Sequence, residues 1–492
     1  MELKELTEKF NNNFGDIKDF DFEKVTNENC QLFYEMINGD LETDYIQKIW
    51  QYYASDREDK KQDFTPKTLG KLVSELTKSE NEEWVYDLCC GSGALTIQKW
   101  CSNKNLKFVC EELDTRIIPL LIFNLKLRNI TGYVLNKNAL TDEIIGIYKL
   151  TSSNKFSEVE PQLLFNYPKF SSGISNPPFN LKGEMTNPVK LKNLNYAFVF
   201  KMLERVKGKC AFILPNGVNT SADEKTARKY LVDNNLIKAV IKNPEKMFES
   251  TGIGTTILLC ENSNEISFVN SSDINFEKEI REQRGQFGEK SHTERIYKKE
   301  INVYSDENIK RITESINNKS NIENFSKTVS NLELQDFDFS PNKYLDLKFE
   351  DKRYREYIDI VTDLERVIRQ QNACKLTVNE TWAREYGLLE KVELLKKGNE
   401  ALKGINKTIK DLLGIDIQLQ MQDYIRTTKS KEMKLENTNK EWVSPAMVTN
   451  ISQWHTMIYF LNEEQNRLLA EFRDRLLSEL MSGKLDVSNI EI

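Results

Sequence analysis

The stretch WVYDLCCGSGAL, residues 84–95, decides the fold of this chain. Its first five residues, Trp84–Leu88, are mostly apolar and predict a short buried strand. Gly91 and Gly93 follow, and a helical pattern starts at Thr96. A glycine turn between a strand and a helix lets the backbone come close to a ligand. The stretch therefore predicts the first strand, ligand loop and helix of an α/β domain.

A second apolar strand, predicted over Leu106–Cys110, ends in two acids, Glu111 and Glu112. A carboxylate at the tip of the second strand is in the position that holds a ribose diol. The alternative is that both acids are exposed and cap the next helix. The third glycine of the dinucleotide fingerprint is missing, which disfavours NAD as the ligand.

The turn Asn176-Pro177-Pro178-Phe179 suits a planar amino group. The side-chain oxygen of Asn176 and the carbonyl of Pro177 can accept from an –NH2 in the plane of a base, while Phe179 stacks on the ring. Pro177 restricts Asn176 to extended conformations, and each proline removes a competing donor. The alternative is an Asn-Pro-Pro turn that only ends a buried strand.

Together these motifs resemble a known family. Asp87 with Gly91 and Gly93, the strand end at Glu112 and the turn 176–179 follow the order of S-adenosylmethionine-dependent N6-adenine DNA methyltransferases. They are most similar to the methylation subunit of type I restriction-modification systems. Further segments that carry the resemblance are QDFTP at 62–66, AFILPNGV at 211–218, IKNPEKMF at 241–248 and TGIGTTIL at 251–258.

The resemblance implies S-adenosylmethionine as the cofactor and N6 of adenine as the methyl acceptor. Asp87 would lie near the ammonium end of the cofactor, and Glu112 would take its ribose hydroxyls. The residues implied at the cofactor are Phe64, Thr65, Pro66, Asp87, Gly91, Gly93, Glu112 and Asn138. The residues implied at the reacting amine are Asn176, Pro177, Pro178 and Phe179.

Two positions depart from the family pattern. Leu88 follows Asp87 where the family commonly has proline, and Asn138 stands where an acid is usual. Asn138 can still accept from the adenine amino group of the cofactor, so we expect binding with altered strength.

Composition excludes several classes of protein. The 492 residues contain no run of about 18 apolar residues, so no membrane span is expected. The start, MELKELTEKFNNN, has acids and no apolar core, unlike a signal peptide. Eight scattered cysteines without Cys-x-x-Cys pairs and only two histidines argue against zinc and against histidine-based catalysis. Reduced thiols predict a cytoplasmic protein.

The net charge of −7 requires local basic clusters if the chain binds DNA. One candidate set, Lys182, Lys190 and Lys192, follows the 176–179 turn. The second candidate set is Arg281, Arg284, Lys290, Arg295, Lys298 and Lys299. The alternative for the second set is a solvated face on which acids alternate with these bases.

The pattern of elements predicts an α/β fold with a mostly parallel sheet, and the resemblance implies that this is a Rossmann-like methyltransferase sheet. We predict an N-terminal helical segment over 1–60 and a catalytic domain over 61–265. A small mixed subdomain or wrap is predicted over 266–345, and a long-helix or coiled-coil region over 346–492. The polar stretch 151–160 is predicted to be a loop or an insertion.

The C-terminal region carries three apolar stripes at helical spacing. They are Tyr354, Ile358, Val361, Leu364 and Ile368; Leu388, Val392, Leu395, Leu402, Ile405, Ile409 and Leu412; and Leu461, Leu468, Phe472, Leu476 and Leu480. These helices either form a lid on the chain's own catalytic domain or dock another subunit. The segment Leu476–Leu485 is similar to a coiled-coil segment of type I specificity subunits.

The resemblance thus implies a site-specific DNA adenine-N6 methyltransferase of a type I-like restriction-modification system. Its expected partners are double-stranded DNA, a specificity subunit or a second copy, and a nuclease subunit. Two rival hypotheses stay open at this point. One is methylation of a glutamine amide in protein. The other is a catalytically weak scaffold subunit, which Asn138 and the departures around Asp87 favour.

Overall fold

The computed structural model describes residues 3–53, 65–248, 253–272, 276–287, 291–346, 355–386 and 445–481. The chain divides into two compact units, Met1–Lys348 and Phe349–Ile492.

The first unit alternates helices and strands. Its helices are α1 (Leu3–Phe14), α2 (Asn27–Met36), α3 (Tyr45–Tyr53), α4 (Lys67–Leu76), α5 (Ala94–Ser102), α6 (Ile118–Leu127), α7 (Asn195–Arg205), α8 (Lys225–Asp233) and α9 (Asp306–Asn317). Its strands are β1 (Trp84–Leu88), β2 (Lys107–Glu112), β3 (Thr131–Lys137), β4 (Ile144–Thr151), β5 (Glu158–Pro161), β6 (Phe170–Ser175), β7 (Lys182–Met185), β8 (Leu191–Asn193), β9 (Val206–Pro215), β10 (Ile237–Lys242), β11 (Thr255–Cys260), β12 (Glu265–Asn270), β13 (Glu277–Phe287), β14 (Ser291–Val303) and β15 (Ser326–Ser330).

Eleven strands form the central sheet, in the order β15-β12-β10-β11-β9-β6-β1-β2-β3-β4-β5. The middle five strands, β9, β6, β1, β2 and β3, are parallel. β11 lies antiparallel between β9 and β10, and β4 and β5 are antiparallel at the far edge. The predicted mostly parallel α/β sheet is confirmed.

Helices cover both faces of the sheet, so its inner strands are buried on both sides. Strand β1 shows this alternation, since Val85 joins the cluster of Leu72 and Leu121, whereas Tyr86 joins that of Phe198. The first of these clusters includes residues of α4 and α6, and the second includes residues of α7. The parallel arrangement brings the carboxyl ends of the strands to one edge, where the site lies.

The N-terminal segment is helical, as predicted. Phe10, Phe14 and Phe33 are buried around Phe123 of α6. Trp50 of α3 is 1% exposed. The segment therefore shares an aromatic core with the sheet domain.

Two regions differ from the sequence expectations or refine them. The polar stretch 151–160, predicted as a loop, contains most of β5, which pairs with β4. Strands β12 and β15, from the region predicted as a subdomain or wrap, extend the central sheet. Strands β13 and β14 pair with each other in a separate two-stranded ribbon.

The second unit contains α10 (Tyr357–Tyr386) and α11 (Pro445–Met481), which form an antiparallel pair. Tyr357 Oη donates to Glu479 at 2.9 Å near one end of the pair. The predicted stripe is partly corrected, because Ile358 is 46% exposed while its neighbour Tyr357 is buried. The stripe 388–412 and Tyr354 lie outside the described residues.

Among the described helices none is long and apolar enough to cross a membrane.

Candidate active site

A cavity of about 240 Å³ lies at the carboxyl ends of β1, β2, β3 and β6. The chain passes from β1 to β2 on one side and returns to β6 on the other, and such a switch of direction opens a crevice in an α/β sheet. The lining residues include Thr65, Asp87, Gly91, Glu111, Glu112, Lys137, Asn138, Asn176 and Pro178. Residues predicted at the cofactor and at the reacting amine therefore share one cavity.

The loop between β1 and α5 turns by means of left-handed backbone conformations. Cys89 has a φ of 61°, Gly91 of 57° and Gly93 of 94°. A side chain at Gly93 would also place its Cβ 3.1 Å from Leu121. The glycine is therefore required at this position both by its backbone angle and by the packing of α6.

Asp87 is fully buried at the end of β1, and its carboxylate faces the cavity. Oδ2 accepts from the backbone N–H of Thr96 at 3.1 Å and from its hydroxyl at 2.6 Å. Oδ1 has no hydrogen-bond partner among the described residues. Burial raises the pKa of Asp87 to about 7. A cationic group in the cavity would satisfy Oδ1 and restore the ionised form.

The two acids at the end of β2 have different surroundings. Glu112 accepts from the backbone N–H of Gly91 at 2.9 Å and of Asp114 at 2.8 Å. Burial raises the pKa of Glu112. Glu111 is 1% exposed and lies 3.3 Å from Lys137 Nζ. Glu112 is the acid that is hydrogen-bonded to the glycine loop, whereas Glu111 has a charged partner of its own. The ribose role of Glu112 stays a prediction.

Asn138 closes its own turn after β3. Its side-chain oxygen accepts from the backbone N–H groups of Leu140 at 3.0 Å and Thr141 at 3.3 Å. The predicted hydrogen bond from an adenine amine would have to share this oxygen. That role stays a prediction.

Asn176 stands at the end of β6, and a hydrogen bond fixes its amide. Nδ2 donates to Thr65 Oγ1 at 3.0 Å, which turns the side-chain oxygen away from Thr65. Pro66 comes directly before α4, and Phe64 lies outside the described residues. Thr65 and Asn176 are 111 positions apart, so the fold itself creates this contact.

Phe179 lies in the core next to the cavity. Its ring is 5% exposed, and its centroid is 6.0 Å from that of Phe248, with the two rings at 74°. Pro178 lines the cavity and Pro177 is buried. Stacking of a base on Phe179 stays a prediction, since it requires the ring to become accessible.

Sequence reasoning missed a charged cluster around Lys137, a buried residue of the cavity wall. Lys137 Nζ donates to Tyr167 Oη and to Asp142, both at 2.7 Å, and lies near Glu111. Arg205 of α7 also pairs with Asp142, at 2.6 Å. The available signal was a lysine at the end of the apolar strand β3, because a lysine there is rarely buried without a partner.

The sheet topology, the glycine loop and the polar end of β6 define an α/β enzyme fold with a cofactor crevice. The family described as N-6 DNA Methylase matches residues 39–353, and the chain belongs to this family. The resemblance predicted from the motifs is thereby confirmed.

Curated relatives are similar over part of their length. The chain is 25% identical over 349 residues to the type I restriction enzyme MpnII methylase subunit of Mycoplasma pneumoniae, covering 62% of this chain and 58% of that one. It is 24% identical over 316 residues to the MjaVIII methylase subunit of Methanocaldococcus jannaschii, covering 59% and 50%. The chain thus spans less than two thirds of these relatives.

Among solved structures, a type I restriction-modification methyltransferase subunit from Streptococcus thermophilus superimposes with a TM-score of 0.48 at 19% identity. The superposition covers 69% of this chain and 75% of the other.

The family implies S-adenosylmethionine as the cofactor, and the side chains that line the cavity suit its polar groups. The unsatisfied Oδ1 of Asp87 suits an ammonium group, and Glu112 offers a carboxylate at the end of β2 for hydroxyls. Gly91 and Gly93 permit the close approach of backbone that the cofactor needs.

Proposed function

We propose that the chain transfers a methyl group from S-adenosylmethionine to N6 of adenine in DNA, as the modification subunit of a type I-like restriction-modification system. The observation that carries this proposal is the shared cavity, since Asn176 opens onto the same space as Asp87 and Glu112. Family membership favours DNA over a glutamine amide as the methyl acceptor.

The chain's residues would orient the amine for transfer. When bound, S-adenosylmethionine would supply an electrophilic methyl group on a sulfonium, which becomes a neutral thioether. The methylated nitrogen would then lose one proton to water. Asn176 Oδ1 and the Pro177 carbonyl would accept the two N–H bonds of the amine, which draws its lone pair out of conjugation with the ring. No covalent nucleophile is required, so position and electrostatics provide the catalysis.

The target base would leave the duplex to reach the cavity, since the amine is inaccessible to an enzyme within the stack. Phe179 would stack on the base, and the ring of Phe248 lies edge-on to the ring of Phe179. Three exposed lysines on β7, β8 and the turn between them, Lys182, Lys190 and Lys192, follow Phe179 closely in the chain and would contact phosphates. Within the second basic set, side chains other than that of Lys298 lie outside the described residues.

The paired helices of the second unit would dock a specificity subunit through a coiled coil. Met457, Tyr459, Phe460 and Leu477 are each 47–66% exposed on α11, which supports a partner rather than a closed hairpin. Deleting residues 346–492 should leave a domain that binds cofactor and loses tight DNA binding. Mass measurement in solution tests assembly before and after the deletion. If the full chain is strictly monomeric, binds no partner and collapses without residues 346–492, these helices are a lid on the chain's own core.

Tritium transfer from labelled S-adenosylmethionine tests the proposed reaction. The chain, alone and with a co-expressed specificity subunit, is incubated with DNA, which is then digested to nucleosides. We expect the label in N6-methyl-2′-deoxyadenosine. All eight cysteines are unpaired, which supports the reducing cytoplasm as the compartment where this reaction occurs. Label in protein glutamine, or none in either sample, would contradict the proposal.

A further inference from the structure

The start of helix α3 is fixed to the glycine loop by buried polar contacts. Asp44 is 7% exposed and accepts from Ser92 Oγ at 2.6 Å, from Asn124 Nδ2 at 2.8 Å and from the backbone N–H of Gln47 at 2.9 Å. Ser92 belongs to the Gly-Ser-Gly turn that borders the cofactor cavity. Asp44 of the N-terminal segment therefore caps α3 and is hydrogen-bonded to the glycine loop.

A buried arginine holds the same segment from the other side. Arg128 is 3% exposed and donates to the backbone carbonyls of Leu41 at 2.7 Å and Thr43 at 2.9 Å. It also donates to Asn124 Oδ1 at 2.6 Å, which orients the amide that binds Asp44. Because buried charged groups are costly to leave unpaired, these contacts fix where α3 begins.

Gln47, in the first turn of α3, contacts the part of the cavity wall that contains Thr65 and Asn176. Its Nε2 donates to the backbone carbonyl of Thr65 at 3.1 Å, and the hydroxyl of Thr65 accepts from Asn176 Nδ2 at 3.0 Å. Thr65 is 5% exposed. Two hydrogen bonds thus connect Gln47 through Thr65 to the Asn176 amide, which would bind the target amine.

We propose that Gln47 is a positioning residue for Asn176 and acts through Thr65, so that α3 belongs to the methyl-transfer machinery. This inference rests on the proposed function. Gln47 fixes the main chain of Thr65, and Thr65 then fixes the rotation of the Asn176 amide. Loss of the first hydrogen bond releases the second, and a small misplacement of a reacting group costs much more rate than binding.

The test compares Gln47→Glu with Gln47→Ala in the full chain. Gln47→Glu keeps the shape of the side chain and removes the donor to Thr65. We expect both variants to lower kcat by about tenfold and to change the Kd for S-adenosylmethionine by less than about twofold. The matched control is Gln31→Ala, on α2, whose side chain pairs with Glu35 and Lys155 away from the cavity. It should transfer methyl groups like the wild type.

A double variant separates positioning from stability. If Gln47 acts through Thr65, Gln47→Ala combined with Thr65→Val should be no slower than Thr65→Val alone. Additive losses would overturn the inference. So would a wild-type kcat in Gln47→Glu, or losses of kcat and cofactor affinity that both follow a lowered melting temperature. If the wild type and Gln31→Ala transfer no methyl group to DNA, the proposed function fails and this inference fails with it.

Discussion

Two edges of the same cavity carry different chemistry. The ends of β1 and β2 present the acids Asp87 and Glu112, whereas the end of β6 presents the neutral turn Asn176–Phe179. Acids suit the ammonium and hydroxyl groups of a cofactor. A neutral amide suits an amine whose lone pair must stay available for transfer. The difference implies that cofactor binding and methyl transfer can be separated by substitution.

The largest effect is expected at the neutral edge. Asn176→Ala should lower the rate of methyl transfer on the order of 10²-fold or more, because it removes a positioned acceptor from the reacting amine. Cofactor binding should be nearly intact, since this side chain faces the amine and not the ribose. Tritium transfer and titration with S-adenosylmethionine measure the two effects. Wild-type turnover in the variant would show that Asn176 does not orient the reacting amine.

A smaller effect is expected at Glu112. Hydrogen bonds to a charged group contribute roughly 1.5–3 kcal/mol, so Glu112→Ala should weaken cofactor binding by about tenfold or more. Glu111→Ala is the matched control, because this neighbouring acid pairs with Lys137. It should lower the free energy of unfolding and leave the Kd largely unchanged. If Glu111→Ala weakens binding and Glu112→Ala does not, the assignment along β2 is wrong by one residue.

Asp87 should make cofactor binding depend on pH. Its pKa is raised to about 7, so at lower pH the free protein holds the carboxyl protonated. An ammonium binds the ionised form, so binding releases a proton. Affinity should therefore rise with pH by up to about tenfold per unit below pH 7 and level off above it. Calorimetry on the wild type and Asp87→Asn measures this, and equal slopes in both would exclude Asp87 as the titrating group.

The smallest effects are expected outside the cavity, at the lysines after Phe179. Neutralising Lys182, Lys190 or Lys192 should each weaken DNA binding at all sequences. Each change should also lower the slope of log affinity against log salt concentration by about one, because one phosphate contact is lost. Lys229→Ala, an exposed lysine paired with Asp233 on α8, is the control. Unchanged salt dependence in all three variants would place the phosphate contacts elsewhere.

Local patterns predicted the cavity well. The glycine loop, Glu112 and the Asn176 turn each stand at the end of a short buried strand, and a parallel sheet brings such ends together. What the sequence did not predict depends on contacts between distant positions. Asp44 meets Ser92 across 48 positions, and Thr65 meets Asn176 across 111.

Other misses arise from packing rather than from distance. The buried state of Lys137 depends on acids and a tyrosine from separate elements, which no local pattern displays. Strand β5 is polar because it lies at the edge of the sheet, where one side faces solvent. Phe179 is predicted to stack on the target base, and that prediction stays open; its burial against Phe248 follows only from the fold.

Mapping of N6-methyladenine in cellular DNA tests the central claim most directly. The chain and its Asn176→Ala variant are each expressed alone and with the neighbouring genes. We predict N6-methyladenine at a defined site with the wild-type chain, at least when a specificity subunit is present, and none with the variant. Equal methylation with the wild type and Asn176→Ala, or none above background in any strain, would contradict the claim.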